Sequence, residues 1–343
     1  MLCGTARLSA QESRSSEAAT PAAPYASIPD TISPRAQKIL RQMDGPLTPS
    51  LPGPNDIAGW QKIRGSIVTP RLNEIFKETN DIALKKYPST SEHRTLGGVT
   101  VVEIRPIGWK DNGKILVYTH GGGYTTGGPD SSVCGWVADE TGMRIFSIGY
   151  TLAPESKWEQ TTDQVIAVLL ALQKEGHALK DMAIFGDSAG GGLAAGSVLK
   201  MRDKGLGMPS VVVLWSPWSD ITETGDTYFT LKRADPILDY PRGLKGAADA
   251  YADPKDQKNP YVSPVYGDYS KGFPPTLVQG GTKDIFLSNF IRQYRAIDSA
   301  GGIAVLDIYE GMPHVFQAFI FDSPESQQSM TKMKKFLATY MGK

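Results

Sequence analysis

The segment that most constrains the fold is a serine set between glycines, residues 186–190 (Gly-Asp-Ser-Ala-Gly). A short apolar run typical of a buried strand precedes it at residues 182–185, and a helix-like stretch follows at residues 192–200. A strand, a sharp turn and a helix are the setting in which Gly-x-Ser-x-Gly presents a reactive serine. The glycines avoid the collisions that such a turn would otherwise cause. The segment therefore predicts an α/β fold with Ser188 as a nucleophile.

A second glycine-rich segment lies at residues 120–124 (His-Gly-Gly-Gly-Tyr), directly after the apolar run 114–118. The tetrahedral oxyanion of ester hydrolysis needs preorganised hydrogen-bond donors, and glycine lets backbone N–H groups approach a substrate closely. We predict that Gly122, Gly123 and Ala189 supply these N–H groups. A flexible glycine turn and a phosphate-binding loop are the alternatives, and the Gly-Lys-Ser/Thr of a Walker-type phosphate loop does not follow.

An acid and a base follow the serine in the chain. Residues 275–281 are an apolar run that ends in glycines, and Asp284 stands just past it. His314 stands on the segment after a later apolar run, residues 303–309. The order serine, aspartate, histidine, each on a loop after a strand, is that of α/β hydrolases. A serine hydroxyl needs a base to take its proton, and the base needs a carboxylate to orient it.

Other histidines and aspartates compete with His314 and Asp284 for the roles of base and acid. His93 and His177 stand in polar stretches that predict surface positions, and His120 is predicted to tie the glycine-rich segment by hydrogen bonds. Asp307 alternates with apolar neighbours within a strand, so we expect it to face solvent or a neighbouring group. Asp322 follows His314, which is the wrong order for the acid.

Five motifs of the chain are residues 120–123 (His-Gly-Gly-Gly), 150–155 (Tyr-Thr-Leu-Ala-Pro-Glu), 186–191 (Gly-Asp-Ser-Ala-Gly-Gly), 216–220 (Ser-Pro-Trp-Ser-Asp) and 311–316 (Gly-Met-Pro-His-Val-Phe). In these motifs the chain resembles the hormone-sensitive-lipase-like family of microbial carboxylesterases, a branch of the α/β-hydrolase superfamily. The resemblance extends from about residue 99 to the C terminus. One departure is Thr151, where the family usually has arginine, and it puts an ion pair of Glu155 in doubt.

The resemblance implies a serine carboxylic ester hydrolase that forms an acyl-enzyme on Ser188 and acts on short to medium acyl esters. A lactone hydrolase or an amidase with the same triad is an alternative, because all three reactions share the intermediate. A non-catalytic ligand receptor on the same fold is a further alternative, which the presence of His314 disfavours. No metal and no cofactor is expected. The expected substrate-contacting residues are Tyr124, Asp187, Trp218 and Phe316.

Charge and composition bear on nucleic-acid binding, membrane insertion and cellular location. A formal net charge of zero and a pI near 6.9 give no reason to expect binding to nucleic acid, and no apolar run is long enough to span a bilayer. Cys134 is predicted to be a core residue in a helix at residues 131–141. Residues 1–27 are predicted to be a disordered tail. The sequence predicts a cytoplasmic protein. The alternative is a protein of the bacterial cell envelope, or a secreted one, if Cys3 marks a removed lipoprotein signal.

The expected architecture is an α/β-hydrolase fold, with a mostly parallel central sheet flanked by helices and a helical cap. Residues 28–90 are expected to be N-terminal cap helices, with Ser33 capping the first. Residues 221–263 are expected to be an inserted cap segment, and residues 91–220 and 264–343 the catalytic core. The edge strand 303–309 could pair with its copy in a homodimer. The predicted strands are residues 99–105, 115–119, 144–149, 182–185, 211–215, 276–279 and 303–309.

Overall fold

The structure is a computed structural model that describes residues 28–43, 45–46, 51–64 and 69–342. Eight strands form one sheet: β1 Ser89–Leu96, β2 Val99–Pro106, β3 Ile115–Thr119, β4 Arg144–Gly149, β5 Met182–Asp187, β6 Val211–Trp215, β7 Thr276–Gly281 and β8 Ala304–Tyr309. Their order across the sheet is β1-β2-β4-β3-β5-β6-β7-β8. Strand β2 runs antiparallel to β1 and β4, and all other neighbours are parallel. The mostly parallel sheet is therefore confirmed.

Helices cover both faces of this sheet. In chain order they are α1 Pro34–Leu40, α2 Ile57–Ile63, α3 Pro70–Lys86, α4 Ser132–Thr141, α5 Trp158–Lys174, α6 Ala189–Asp203, α7 Thr227–Thr230, α8 Lys245–Tyr251, α9 Leu287–Ser299, α10 Phe316–Phe319 and α11 Pro324–Tyr340. One face packs against α5, α6 and α9, and the other against α4 and α11. The central strands are buried on both faces, as expected for a parallel sheet between helix layers.

Strand β1 is the element that the sequence analysis misses. Its residues, Ser-Thr-Ser-Glu-His-Arg-Thr-Leu, are almost all polar, and only Leu96 is buried. It is an edge strand, joined to β2 by Gly97 and Gly98 at φ of 59° and 81°. Two central residues at positive φ are what a tight two-residue hairpin turn requires. The sheet therefore begins at Ser89, inside the segment assigned to the N-terminal helices.

The N-terminal helices begin where the sequence predicts. The Ser33 side chain accepts a hydrogen bond from the backbone N–H of Ala36, and Pro34 opens α1. Helix α2 ends at Ile63, and Pro70 opens α3. Helices α1 and α3 pack against the segment that follows β8, in a cluster that includes Met312 and Ile320. The predicted tail, residues 1–27 with Cys3, lies outside the described residues.

The insert, residues 221–263, contains no strand. It holds α7, a π-helical turn at Tyr240–Leu244 and α8. The hydroxyl groups of Tyr228 and Tyr240 donate to the carbonyl oxygens of Asp220 and Ile221, which fastens the insert at its start. The insert therefore packs on the end of the sheet that carries the strand C termini.

Candidate active site

Ser188 stands at the junction between β5 and α6, at φ 53° and ψ −125°. The flanking glycines are required by close packing. A Cβ on Gly186 would lie 2.4 Å from the Gly190 carbonyl oxygen, and a Cβ on Gly190 would lie 2.0 Å from the carbonyl oxygen of Thr119. No side chain fits at these distances, so the tight turn that projects Ser188 depends on both glycines.

Ser188, His314 and Asp284 form one hydrogen-bonded chain. His314 Nε2 lies 2.8 Å from Ser188 Oγ, and His314 Nδ1 lies 2.8 Å from Asp284 Oδ2. The other carboxylate oxygen of Asp284 accepts from the backbone N–H of Phe286 at 2.8 Å. All three side chains are buried. The structure thus brings together the three residues predicted from chain order, with the acid after β7 and the histidine after β8.

Backbone strain is concentrated here. Within the described ranges, the non-glycine residues at positive φ are Tyr124, Ser188, Ser216 and Val315, at 64°, 53°, 44° and 48°. Val315 follows His314, and its N–H donates to Ser216 Oγ at 2.9 Å. Such conformations persist only where the surroundings over-determine them, and they cluster at functional sites. Two strained residues thus support each other beside the imidazole.

The glycine loop, residues 120–126, is tied to the turn at Ser188. Asp187 Oδ1 accepts from the backbone N–H of Gly121 at 3.0 Å and also from the Tyr118 hydroxyl. The His120 ring stacks on Tyr150 with centroids 4.2 Å apart, and its Nδ1 lies 2.8 Å from the Gly121 carbonyl oxygen. Asp187, predicted to contact substrate, is therefore engaged in holding this loop.

The three predicted N–H donors have no protein acceptor in the described part of the chain. Gly122 and Gly123 donate no hydrogen bond to any described residue. Ala189 is the first residue of α6, where a backbone N–H has no partner within the helix. Free N–H groups beside a buried serine hydroxyl can receive a developing negative charge.

Two buried histidines of the site titrate differently. Burial, the largest single effect, opposes the charged form of His314, but the carboxylate of Asp284 together with the charges of Asp235 and Asp187 raises the pKa of the imidazole above its ordinary value of 6.5. Burial lowers the pKa of His120 to about 4. His120 is therefore neutral near neutral pH, and the imidazole that changes charge there is that of His314.

A second buried carboxylate, that of Asp235 in the insert, lies next to the hydrogen-bonded triad of Ser188, His314 and Asp284. Its Oδ2 accepts from the backbone N–H of Ile285 at 2.9 Å, one residue after Asp284. Its Oδ1 accepts from the N–H groups of Ile237 and Leu238. Burial, and then the charge of Asp284, raise the pKa of Asp235 above its ordinary range. The insert therefore holds the loop that carries the acid.

The pH dependence of kcat/KM should follow His314. Because a general base must be neutral in the free enzyme, kcat/KM should fall as pH decreases through a midpoint above about 6.5. The charges of Asp235 and Asp187 both favour the protonated imidazole. We therefore expect Asp235→Asn to move the midpoint to lower pH without abolishing it. A flat profile down to about pH 5 would exclude His314 as the base.

An aromatic stack extends away from the imidazole. The Phe286 ring meets that of His314 edge-on, with centroids 5.2 Å apart, and stacks on Trp218 at 5.6 Å. Trp218 stacks on Tyr124 at 5.8 Å, and Tyr124 on Tyr251 at 3.6 Å. All of these side chains are buried. Two residues predicted to contact substrate, Tyr124 and Trp218, therefore belong to one rigid wall beside the site.

The fourth predicted contact residue, Phe316, lies elsewhere. Its side chain is fully buried in the cluster formed with α1 and α3, and its ring packs beside Tyr309. The structure therefore places Phe316 in the core between the N-terminal helices and the histidine segment. The resemblance implies a substrate contact for Phe316, but its side chain is directed into the helix layer.

The competing acids and histidines take structural places. Asp307 accepts from Gln279 and Lys332, so it faces neighbouring groups within the fold. Asp322 pairs with Arg35 of α1. His93 is exposed, as predicted. His177 is half-buried instead of exposed. His177 Nε2 lies 3.1 Å from Arg144 Nη2. Cys134 is buried in α4, as predicted.

Glu155 forms its ion pair with an arginine from another part of the chain, not with residue 151, where the family usually has arginine. Its carboxylate binds the guanidinium of Arg64, at the end of α2, with Arg64 Nη1 2.8 Å from Oε1. Thr151 instead exchanges hydrogen bonds with Gln164. Arg64, Asp235 and Ser216 are the residues of the site that sequence reasoning missed. Only Ser216 carried a signal, since it opens one of the matching motifs.

No group of three His, Cys, Asp or Glu side chains is placed to hold a metal ion among the residues that the structure describes. In the same ranges, no helix is both long and apolar enough to cross a membrane.

Comparisons with known proteins agree with this geometry. Residues 116–318, more than half of the chain, match the α/β hydrolase fold family. An acetyl-hydrolase of Streptomyces hygroscopicus is 29% identical over 250 residues, which cover 72% of this chain and 82% of that protein. An esterase of Acinetobacter venetianus is 30% identical over 225 residues, 65% of this chain and 74% of that one.

Solved structures are similar over most of their length. A crystal structure of an esterase superposes with a TM-score of 0.79 at 27% identity, covering 92% of this chain and 96% of that one. An esterase from the bacterial hormone-sensitive lipase family gives a TM-score of 0.71 at 28% identity, covering 80% and 99%. The chain belongs to the α/β-hydrolase fold family, alongside the bacterial esterases of the hormone-sensitive lipase family, and it is an ester hydrolase.

Proposed function

We propose that the chain hydrolyses carboxylic esters of short acyl chains through an acyl-enzyme on Ser188. The observation that carries the proposal is the buried hydrogen-bonded chain from Asp284 through His314 to the Ser188 hydroxyl, with two distances of 2.8 Å. A nucleophile, a base within reach of it and a group that orients the base are the elements of covalent acyl transfer.

In the acylation step, Ser188 Oγ attacks the ester carbonyl carbon while His314 Nε2 takes the hydroxyl proton. Asp284 orients the Nδ1–H of the imidazole and stabilises its positive charge. The carbonyl oxygen becomes an oxyanion that accepts hydrogen bonds from the backbone N–H groups of Gly122, Gly123 and Ala189. The intermediate then collapses, the alcohol leaves with the proton from His314, and the acyl group remains on the serine.

In the deacylation step, His314 takes a proton from water, and the resulting hydroxide attacks the acyl carbon. The same N–H groups receive the second oxyanion. Collapse of this intermediate breaks the bond to Ser188 Oγ, which regains its proton from the imidazole, and releases the carboxylic acid. Lactones and amides would pass through equivalent intermediates, but an amine is a poorer leaving group than an alcohol.

The preference for short acyl chains is supported by the wall beside the imidazole. Trp218 and Phe286 are buried and stacked, so they fill the space next to His314 with rigid aromatic surface. The names of relatives point the same way: one is an acetyl-hydrolase, and another, of Pseudomonas putida, is an ethyl acetate hydrolase.

We propose that the N-terminal helices and the insert together cover the site. A Cβ on Gly123 would lie 3.5 Å from the Cβ of Ala247, so α8 of the insert lies directly over the glycine loop. Helix α2 reaches the same loop through Arg64. A cover of this kind excludes water and shapes the pocket for the acyl and alcohol groups.

The experiment that tests the function is turnover of p-nitrophenyl esters by the purified protein, from acetate through butyrate and octanoate to laurate. We expect kcat/KM to be highest for acetate or butyrate and to be abolished in Ser188→Ala. Equal rates for the wild type and Ser188→Ala would refute the proposal. A preference for laurate would refute only its acyl-length part.

For association between copies, we propose a homodimer through β8. This strand pairs only with β7, so its outer backbone groups have no strand partner among the described residues, and Ile303 just before it is exposed. Sedimentation velocity should give a dimer for the wild type and a monomer for Ile303→Lys. A monomeric wild type at all concentrations would contradict this proposal.

A further inference from the structure

The side chain of Arg64 connects the N-terminal helices to both loops that border the oxyanion site. Its Nε donates to the carbonyl oxygen of Thr125 in the glycine loop at 3.0 Å. Its Nη2 donates to the carbonyl oxygen of Ala153 at 3.2 Å, and both terminal nitrogens bind the Glu155 carboxylate. One guanidinium thus joins α2 to two loops that are far from it in sequence.

The acceptor in the glycine loop is directly linked to a proposed oxyanion donor. The N–H groups of Thr125 and Thr126 both donate to the carbonyl oxygen of Gly122, each at 3.1 Å. These bonds close the turn that presents the Gly122 and Gly123 N–H groups. Thr125 is thus bound to Gly122 through its N–H and to Arg64 through its carbonyl oxygen, so a displacement of Thr125 would also displace the N–H donors.

The turn also needs support from outside, because Tyr124 within it is held at φ 64°. A non-glycine residue in this conformation persists only where neighbouring groups enforce it. Two groups do so: the N–H of Ala153, in the loop at residues 150–155, donates to the Tyr124 carbonyl oxygen at 2.9 Å, and Arg64, at the end of α2, binds Ala153 and Thr125 together. The guanidinium therefore clamps the two loops at the strained residue.

Arg64 is itself firmly placed. The hydrogen bond from Arg64 lowers the pKa of Glu155 to about 2, so the carboxylate stays charged over the whole working range. Gln61 Nε2 donates to the same carboxylate at 2.8 Å. Trp60 of α2 is buried in the main core, which anchors the helix from which Arg64 extends. Only the planar fork of arginine can bind a carboxylate and two carbonyl groups in this way.

We propose that Arg64 is a positioning residue of the reaction: it holds the glycine loop so that Gly122 and Gly123 direct their N–H groups at the oxyanion. The inference rests on the oxyanion donors of the proposed function and assigns a catalytic contribution to the N-terminal helices. Arg64 contacts no reacting atom and acts through Thr125. Its loss should therefore weaken stabilisation of the transition state and leave binding of the ester nearly unchanged.

The test measures kcat and KM for p-nitrophenyl acetate per active site, counted by titration with an organophosphate. For Arg64→Ala we expect kcat to fall by about ten- to a hundredfold, since small misplacements of catalytic groups have effects of that size, while KM changes little. The inhibition constant of a trifluoromethyl ketone, which forms an oxyanion on Ser188, should rise by the same factor as kcat/KM falls.

Arg35→Ala is the matched control. Arg35 also joins an N-terminal helix to the rest of the fold by an ion pair, with Asp322, and the side chains of this pair are 28% and 26% exposed, against 23% and 22% for Arg64 and Glu155. It has no bond to the glycine loop among the described residues. We expect Arg35→Ala to keep the kcat and the ketone affinity of the wild type. An equal loss in both variants would mean that Arg64 acts only through general attachment of the helices, and would overturn the inference.

Arg64→Lys covers the case in which Arg64→Ala does not fold. A lysine can pair with Glu155 but lacks the fork that also binds Thr125, so kcat and ketone affinity should still fall. A folded Arg64→Lys or Arg64→Ala enzyme with unchanged kcat and ketone affinity overturns the inference. If the Arg64 variants keep full activity but Gly122→Ala loses it in the same assay, the proposed function stands and only the role of Arg64 is wrong. If Gly122→Ala is also fully active, the assignment of the oxyanion donors itself is wrong.

Discussion

Replacing Ser188 by alanine should lower kcat for p-nitrophenyl acetate by about a millionfold, and adding His314→Ala should lower it little further. The reason is that the two side chains act as one unit, joined by the hydrogen bond of 2.8 Å between Oγ and Nε2. A residual rate above that of water should remain, because the oxyanion donors and the pocket are intact. Steady-state kinetics of the single and double variants measures this, and additive losses would contradict a joint role.

Two matched variants, Asp284→Asn and Asp307→Asn, test which aspartate is the acid of the triad. Asp284→Asn should lower kcat by about ten-thousandfold, because the amide no longer stabilises the imidazolium or fixes its tautomer. Asp307 is bound to Gln279 and Lys332, whereas His314 is bound to Asp284 and Ser188, so Asp307→Asn should keep near-normal kcat. The reverse outcome, with activity retained in Asp284→Asn and lost in Asp307→Asn, would show that the acid is misassigned.

Gly122→Ala should lower kcat by about 100- to 1000-fold with little change in KM. Gly122 lies at φ 104°, and a Cβ there would be 2.4 Å from the carbonyl oxygen of Thr126. The obstacle is backbone, so the turn must shift and its N–H donors move away from the oxyanion. Kinetics with the acetate ester, together with the affinity of the trifluoromethyl ketone, would measure the loss.

Gly123→Ala is the control for this prediction. Gly123 also lies at positive φ, 60°, but a Cβ there would first meet the Cβ of Ala247 at 3.5 Å, an ordinary contact. The left-handed conformation costs an alanine about 1–2 kcal/mol of stability, and the N–H donor remains in place. We expect a lower melting temperature and a kcat within about tenfold of the wild type. If Gly122→Ala kept full kcat, this loop would have no part in the mechanism.

The parts of the site that follow from local sterics were predictable from sequence. The turn at Ser188 needs glycine at positions 186 and 190 because a Cβ at either position would lie within 2.0–2.4 Å of a backbone oxygen. Such a local requirement can be recognised from a short run of sequence. The acid and the base were found because parallel strands end at one edge of the sheet, so residues just past those ends converge.

The parts that depend on distant side chains were not predictable. Arg64 and Glu155 are separated by 91 positions, and nothing in the residues around Arg64 indicates a carboxylate partner. Asp235 is a similar case, since its role depends on contact with Ile285, 50 positions away. Strand β1 was missed because an exposed edge strand has no apolar alternation to reveal it.

Phe316 shows that a residue within a matching motif need not contact the substrate. It stands two residues from His314, but the positive φ of Val315 between them turns the chain, and α10 begins at Phe316. The aromatic side chain consequently packs against the N-terminal helices, while the imidazole points to Ser188. A left-handed valine is not a feature that residue preferences would predict, because β-branched residues avoid this conformation.

The central claim is that Ser188 carries the acyl group, and mass spectrometry of the acid-quenched enzyme tests it most directly. The protein is mixed with excess p-nitrophenyl acetate, quenched within milliseconds to seconds, digested and mapped. The account predicts one acetyl group on the peptide that contains Ser188, absent in Ser188→Ala and lost on longer incubation once the ester is consumed. Turnover of the ester with no acyl group on Ser188 at any quench time, or with the acetyl group on another residue in Ser188→Ala at an undiminished rate, would contradict it.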